Sequence, residues 1–383
     1  MLKKTSKLIS FILITILIVV GCSNTGNTSA GENNSDNSNA TTENKSNADQ
    51  VETRVLRVAH NYPEGHVIHQ AGYLTFKKEV EERSGGRLKV DIYPAEQLGS
   101  SFDLPDLVRE GVADIGEIFP NYYPERFPVG MALSLPGMYE DEWTLFYGLW
   151  EVLHEGPIAE EWERNNLVPL LLTASPMTEF LTVDKKIETV ADLNNLKLRS
   201  TGGAMDFMRN VGVAPVQMAL GDIFTGAERG TVDGAVMNYS LANGFGMWEL
   251  FKYATDGANA FGLGTVAASM DRDNFASLPD DLQQVLYEAG KIATLTQAEA
   301  FFANNEEAKQ EARDAGVEIV EVSDDFIEEF VAKLSPAYDE YINVVNNAGL
   351  DGEAILKDIQ ETMEHASQVE DKKAVRDFDI AIK

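Results

Sequence analysis

Five histidines, His60, His66, His69, His154 and His365, are the first candidates for chemistry in this 383-residue chain. The first three fall close together, but only His66 and His69 would share a helical face. No carboxylate stands at matching spacing, so the pattern argues against a zinc site. A Gly-x-Ser-x-Gly elbow, a Ser-x-x-Lys pair and a phosphate loop are all missing. The single cysteine, Cys22, leaves no free thiol in the body of the chain for nucleophilic work. The residues point to binding rather than bond-breaking, and no catalytic residue, metal or cofactor is expected.

Groups able to hold a ligand fall at the ends of short apolar strands. Arg54 to Ala59 leads to Asn61 and Tyr62, and Val112 to Ile118 carries Glu117 and leads to Phe119. Lys197 to Arg199 ends on a guanidinium, and Val232 to Met237 leads to Asn238 and Tyr239. A guanidinium presents two parallel N–H donors to a carboxylate and stays charged where water is excluded. From residue type alone Arg199 could equally be a strand-end residue in an ion pair. An amide such as Asn238 or Asn61 both gives and takes hydrogen bonds, and Asn238 could also cap a helix. Gly202 and Gly203, which open a helix after Arg199, could add backbone N–H groups for an anion. Phe119 and Tyr239 are the aromatics placed to wall a pocket, while Tyr62, Tyr122, Tyr123, Trp143, Phe245 and Trp248 read mostly as core.

The elements that must position these groups alternate in type. Strand 54–59 is followed by a helical pattern through Val67, Ala71, Leu74 and Val80 that stops at Gly85-Gly86, then by the alternating strand Leu88 to Tyr93. Pro105 starts the next helix rather than breaking one. This order predicts a parallel sheet with crossover helices, whose ligands sit beyond the carboxyl ends of its strands. A second α/β unit follows Ser175, with strands at 180–183, 197–199 and 232–237 and helices at 205–211 and 223–229. The longest helical pattern runs from Pro279 through Ala312, about 50 Å if continuous, a length suited to bracing two lobes. About 330 residues of body are more than one core usually covers, so two lobes are expected.

The amino terminus reads as an address. Lys3, Lys4 and Lys7 precede an apolar run from Leu8 to Val20, and Gly21-Cys22 closes it. This is the pattern of a secretory signal peptide, too short to span a bilayer. Its ending resembles a bacterial lipobox, in which Cys22 would be lipidated and would anchor the mature chain. Ser23 to Asp49 contains no aromatic or branched aliphatic residue and reads as a disordered tether reaching on the order of 30 Å. The formal net charge is −31, and removal of three signal-peptide lysines makes it −34. Such a charge makes nucleic acid and anionic membrane surfaces poor partners, so no nucleic acid is expected, and any anion site must be made by local cations.

Four blocks in order carry a family resemblance. Arg87 to Gly99 (RLKVDIYPAEQLG), Asp192 to Arg199 (DLNNLKLR), Gly212 to Val216 (GVAPV) and Gly230 to Ala235 (GTVDGA) resemble blocks of the extracytoplasmic solute receptors of tripartite ATP-independent periplasmic (TRAP) transporters. The resemblance spans about residues 53 to 335. It implies an α/β fold of two lobes, like a type II periplasmic binding protein, with a long helix bracing both. It places lobe I at 53–176 with 264–303 and lobe II at 177–263 with 304–383, after a signal peptide at 1–21 and a lipidated tether at 22–52. It also implies cleft closure on a small organic acid and delivery to a TRAP permease in the membrane. By the same resemblance Arg199 holds the ligand carboxylate and Asn238 lines the cleft. Two departures matter. Asn195 stands where the family has glycine and is expected to take the left-handed turn itself. Glu179 lies where many members carry a second arginine, which favours a monocarboxylate, a hydroxy or keto acid, or a ligand with an amine, provided that Glu179 faces the cleft. Two other roles stay open: a sensor of the same fold feeding a kinase, and a surface-anchored enzyme.

Overall fold

The computed structural model describes residues 53–201, 203–257 and 265–373. The expected signal peptide, Cys22 and its tether, and Gly202 lie outside the described residues. Strands β1 (Arg54–Ala59), β2 (Leu88–Tyr93), β3 (Ile115–Ile118) and β4 (Leu167–Leu172) come first in the chain. Next are β5 (Glu179–Thr182), β6 (Lys197–Ser200), β7 (Ala214–Gln217), β8 (Gly234–Met237) and β9 (Tyr253–Asp256). The last two are β10 (Ala267–Asp271) and β11 (Glu318–Glu321). In β2 the alternation is legible in burial, with Leu88 and Val90 inward and Lys89 and Asp91 outward. By contrast β3, β4, β5, β8 and β10 are buried at every position, as strands covered on both faces are.

The strands form two sheets, ordered β2-β1-β3-β10-β4 and β11-β9-β5-β8-β6-β7. Read from its β7 edge, the second sheet runs β7-β6-β8-β5-β9, the same arrangement as the first with β11 added. Within each, the first three strands pair in parallel. The fourth strand is antiparallel to both neighbours, β10 in one sheet and β5 in the other. Both sheets are therefore mixed, which corrects the parallel arrangement predicted from alternation. The chain path accompanies this: β5 enters the second sheet directly after β4, as that sheet's first strand in the chain, and β10 returns to the first sheet only after β9.

Close backbone approach explains two glycines. A Cβ on Gly234 would lie 2.2 Å from the Leu181 carbonyl oxygen, so β8 can sit beside β5 only without a side chain there. A Cβ on Gly290 would lie 1.9 Å from the Leu170 oxygen, which lets the long helix press onto β4. That helix, Asp280–Asp314, is unbroken over 35 residues, about 52 Å. It touches the helix Leu74–Arg83, the π-helical turn Ile68–Tyr73 and β4 from the first half, and the helix Tyr239–Gly244 from the second. Asp233 accepts the Lys197 N–H at 2.9 Å, so the Asp233-Gly234 pair is sheet architecture.

The carboxyl-terminal helices have divided allegiance. Pro336–Asn347 contacts the helix Gly203–Asn210 that follows β6, whereas Gly352–Gln368 packs on Glu142–His154 and Pro157–Arg164, which precede β4. The last helix, grouped with lobe II from the sequence, thus sits with helices of the first half. Beyond it Lys373 pairs with Glu299 of the long helix at 2.7 Å and lies over the Trp143 ring. No helix among the described residues is long and apolar enough to cross a membrane.

Candidate functional site

Arg199 stands on β6 between partners on β7 and β8, with 3% of its surface exposed. The turn that delivers it passes through Asn195, whose φ of 61° is the left-handed conformation expected there. The Arg199 Nε–H donates to the Met218 carbonyl at 2.9 Å, and Nη2 reaches the Tyr122 hydroxyl at 3.5 Å. Burial lowers its pKa, and Tyr122 is the titratable group that offsets this; no carboxylate does so among the described residues. A guanidinium stays charged even so. Burying an ion without a counter-charge costs on the order of several kcal/mol.

Tyr122 comes from the short turn Pro120–Tyr122 beyond β3, so its contact with Arg199 spans the two sheets. Its ring stacks between Phe102, at 4.3 Å, and Phe119, at 5.1 Å. Phe119 thereby stacks on the tyrosine that contacts Arg199. Tyr122 itself was read with the core aromatics.

At the ends of β1 and β3 the groups are polar but uncharged. Glu117 is fully buried and accepts a hydrogen bond from Thr173 Oγ1 at 3.2 Å. Burial pushes its pKa up to about 8, and the nearby hydroxyls of Thr173, Tyr73 and Tyr62 pull it only part of the way back. At neutral pH it is a carboxylic acid able to donate. Tyr73 approaches the same carboxyl without completing a bond to it.

The neighbouring histidines are also neutral. His66 Nδ1 accepts the Ile68 N–H at 3.1 Å, which places the ring proton on Nε2. His60 Nδ1 accepts the Tyr62 N–H, so its Nε2–H points to His69 Nδ1 at 3.0 Å. Desolvation lowers His60 to about 3 and His66 to about 4. Among the described residues no group of three His, Cys, Asp or Glu side chains could hold a metal ion.

Among the described residues, seven buried polar atoms in this region have no hydrogen-bond partner: both amide atoms of Asn61 and of Gln297, His66 Nε2, the Tyr73 hydroxyl and Glu117 Oε2. Ring contacts and the Glu117 carboxyl connect Tyr73, Tyr62 and the histidines. Tyr73 stacks on His60 at 4.0 Å and Tyr62 on His66 at 5.0 Å, and a Cβ at Gly72 would meet Gln297 at 3.2 Å. Each such atom costs roughly 1–3 kcal/mol if it stays unbonded.

Asn238 is fully buried and caps the helix Tyr239–Gly244, accepting the Leu241 N–H at 2.8 Å and donating to Ser175 Oγ at 2.9 Å. The Tyr239 hydroxyl bonds Asp256 at 3.1 Å, and Asp256 also pairs with Lys309 at 2.6 Å. Glu179 does not point to solvent. It is 5% exposed, accepts the Gly257 N–H at 3.3 Å and acts electrostatically on Tyr239. The expected residues therefore divide: Arg199 and Phe119 meet through Tyr122, Glu117 lies with Tyr62 and Tyr73, Asn61 is buried beyond β1, and Glu179 and Tyr239 gather near Asp256. Sequence reading missed Tyr73, Thr173 and Gln297. Nothing in the pattern of a long helix marks Gln297, and His66 was weighed only as a metal ligand.

A family model described as bacterial extracellular solute-binding protein, family 7, matches residues 58–343. A solute-binding protein of Chromohalobacter salexigens is 25% identical over 288 residues, covering 74% of this chain and 82% of its own length. A TRAP solute-binding protein of an unidentified marine microbe, described as specific for aromatic acid ligands and solved with metahydroxyphenylacetate, superposes with a TM-score of 0.75 at 26% identity. The match covers 82% of this chain and 99% of that one. A TRAP solute-binding protein of Rhodoferax ferrireducens, solved with copurified benzoate, has the same TM-score and coverage at 24% identity and supports the fold.

Proposed function

The chain belongs to the bacterial extracellular solute-binding proteins of family 7, and from that premise we propose that it captures a small organic carboxylate by cleft closure and delivers it to a TRAP-type permease. The observation that carries this reading is the buried Arg199, a cation that no carboxylate offsets among the described residues. When the lobes part, the contact with Tyr122 breaks and the guanidinium meets the ligand carboxylate through two parallel hydrogen bonds. Closure then excludes water and shifts the population toward the form that the permease recognises. Phe102, Tyr122 and Phe119 supply flat apolar walls. Together with the aromatic acid bound by the marine relative, they favour an aromatic or similarly flat carboxylate. Asn238 orients the carboxylate with the hydrogen-bonding capacity that its cap leaves over.

The lobes of this reading are 53–176 with 264–303 and 177–263 with the residues after 303, the final helix resting on the first. Cys22 carries the lipid that holds the chain at the outer face of the cell membrane, and residues 23–52 form the leash. The ligand leaves unchanged, and no bond is made or broken in it. Thermal shifts of the chain against a panel of monocarboxylates, dicarboxylates and sugar acids test the assignment. A ligand at 1,000 times its Kd adds about 4 kcal/mol of stability. A carboxylate hit abolished in Arg199→Ala supports the receptor, and silence across the panel for folded, ligand-free protein overturns it.

A further inference from the structure

We propose that His66 and Gly244 form the bearing surface on which the two lobes close, and that this pair governs how long a captured ligand is held. The inference rests on the cleft-closure reading above and names a place where the lobes must meet for that closure. His66 follows β1 in the first lobe, and Gly244 ends the helix Tyr239–Gly244 in the second. A Cβ on Gly244 would lie 2.0 Å from His66 Cδ2 and 2.7 Å from its Nε2, so the imidazole lies directly on the helix backbone. Even a methyl group at position 244 has no room while the lobes hold this arrangement.

Neither side of the contact can easily give way. The His66 ring is 1% exposed, its Nδ1 accepts the Ile68 N–H at 3.1 Å, it stacks on Tyr62 at 5.0 Å, and Phe301 packs edge-on at 6.0 Å. The helix is fixed at its other end, where the Ser240 N–H donates to Asn305 Oδ1 at 3.1 Å. Gly226 makes the contrast: a Cβ there would meet the Met218 methyl at 2.7 Å, the free end of a flexible side chain that can swing aside. At Gly244 the obstacle is a buried ring in a close-packed setting. Position along the long helix adds a second argument. Gln297 packs on Gly72 of the first lobe, Asn305 holds Ser240 of the second, and Phe301 stands midway, about 6 Å along the helix from each. The contact therefore lies where the brace passes from one lobe to the other. It also reaches the carboxylate site, because Tyr62 acts electrostatically on Tyr122, whose hydroxyl meets Arg199.

The experiment is a double-mutant cycle read by stopped-flow mixing of the full chain with benzoate, 3-hydroxyphenylacetate, hexanoate and gluconate. Gly244→Ala speeds release of a bound acid about ten-fold or more and changes the rate of arrival less than about three-fold, since the open lobes admit ligand as before but close poorly. In the His66→Ala background, where the ring is gone, the same Gly244→Ala substitution changes release less than about three-fold. Gly221→Ala, in the same lobe and with no atom within 4 Å of its Cβ, leaves both rates as they are. If Gly244→Ala does not fold, His66→Ala alone decides: loss of the closed-form contact speeds release about three-fold or more, and an unchanged rate overturns the proposal. Release at the original rate from folded Gly244→Ala, or an equal effect of that substitution in both backgrounds, also overturns it and leaves the Arg199 assignment standing. If none of the four acids binds, the capture reading falls, and this inference falls with it.

Discussion

In the first sheet β1 and β3 deliver Asn61 and Glu117, groups without charge at neutral pH, whereas in the second the equivalently placed β6 and β8 deliver Arg199 and Asn238. The strand order and the antiparallel fourth strand are the same on both sides. What differs is a handful of side chains at the carboxyl ends. A repeated frame thus presents different chemistry at equivalent strand ends. The second sheet carries a buried guanidinium there, while the first carries a carboxyl that burial keeps protonated.

The comparison breaks most visibly at Arg199. Arg199→Ala should weaken carboxylate binding by at least 100-fold, read by calorimetry, because a charge-assisted pair in a closed site is lost. Arg199→Lys should restore part of that affinity but not the bidentate geometry.

On the neutral side the test is pH. Glu117 keeps its proton to about 8 in the folded chain, while the unfolded chain releases it near 4.5, so stability falls as pH rises between those values. Glu161 adds to the fall up to about 7. His60 and His66 act oppositely: their neutral folded forms stabilise above about 6.5, and that contribution is lost as pH falls through about 4 and 3. Glu117→Gln should flatten the decline in Tm from pH 5 to 8 and leave the acid side unchanged. An unaltered slope would show that Glu117 ionises normally.

Smaller effects sharpen the contrast further. Asn238→Ala removes a cap and the bond to Ser175 and should cost about 2 kcal/mol in chemical denaturation, cap loss alone being about 1. Asn195→Gly relieves a left-handed φ of 61° and should change stability by no more than about 1 kcal/mol, with carboxylate affinity unchanged.

Local pattern revealed the strands β1, β2, β6 and β8 and the bracing helix, because alternation and helical spacing are written in consecutive residues. It did not reveal β4 or β10. The first is an apolar run interrupted by Pro169, and the second earns its place only by returning from the other half of the chain. The same limit applies to the site. Arg199 and Asn195 lie in one contiguous block, so block and turn chemistry exposed both. Tyr122 became part of the site through a contact 77 positions away, and Gln297 through the packing of a helix on Gly72. Glu117 could be placed at a strand end from sequence, but its retained proton follows from burial that only the fold creates.

The burial of Arg199 beneath Tyr122 also sets the kinetics of encounter. An approaching anion senses a strongly acidic chain, of formal charge −31 even before the signal-peptide lysines are removed, and would meet the Arg199 guanidinium only at short range, once the lobes have parted. Long-range forces therefore slow arrival, and dissolved ions, which confine those forces to about 8 Å at physiological strength, relieve the delay. Capture should quicken with added salt in stopped-flow measurements, so that tight binding is won through slow release rather than fast approach.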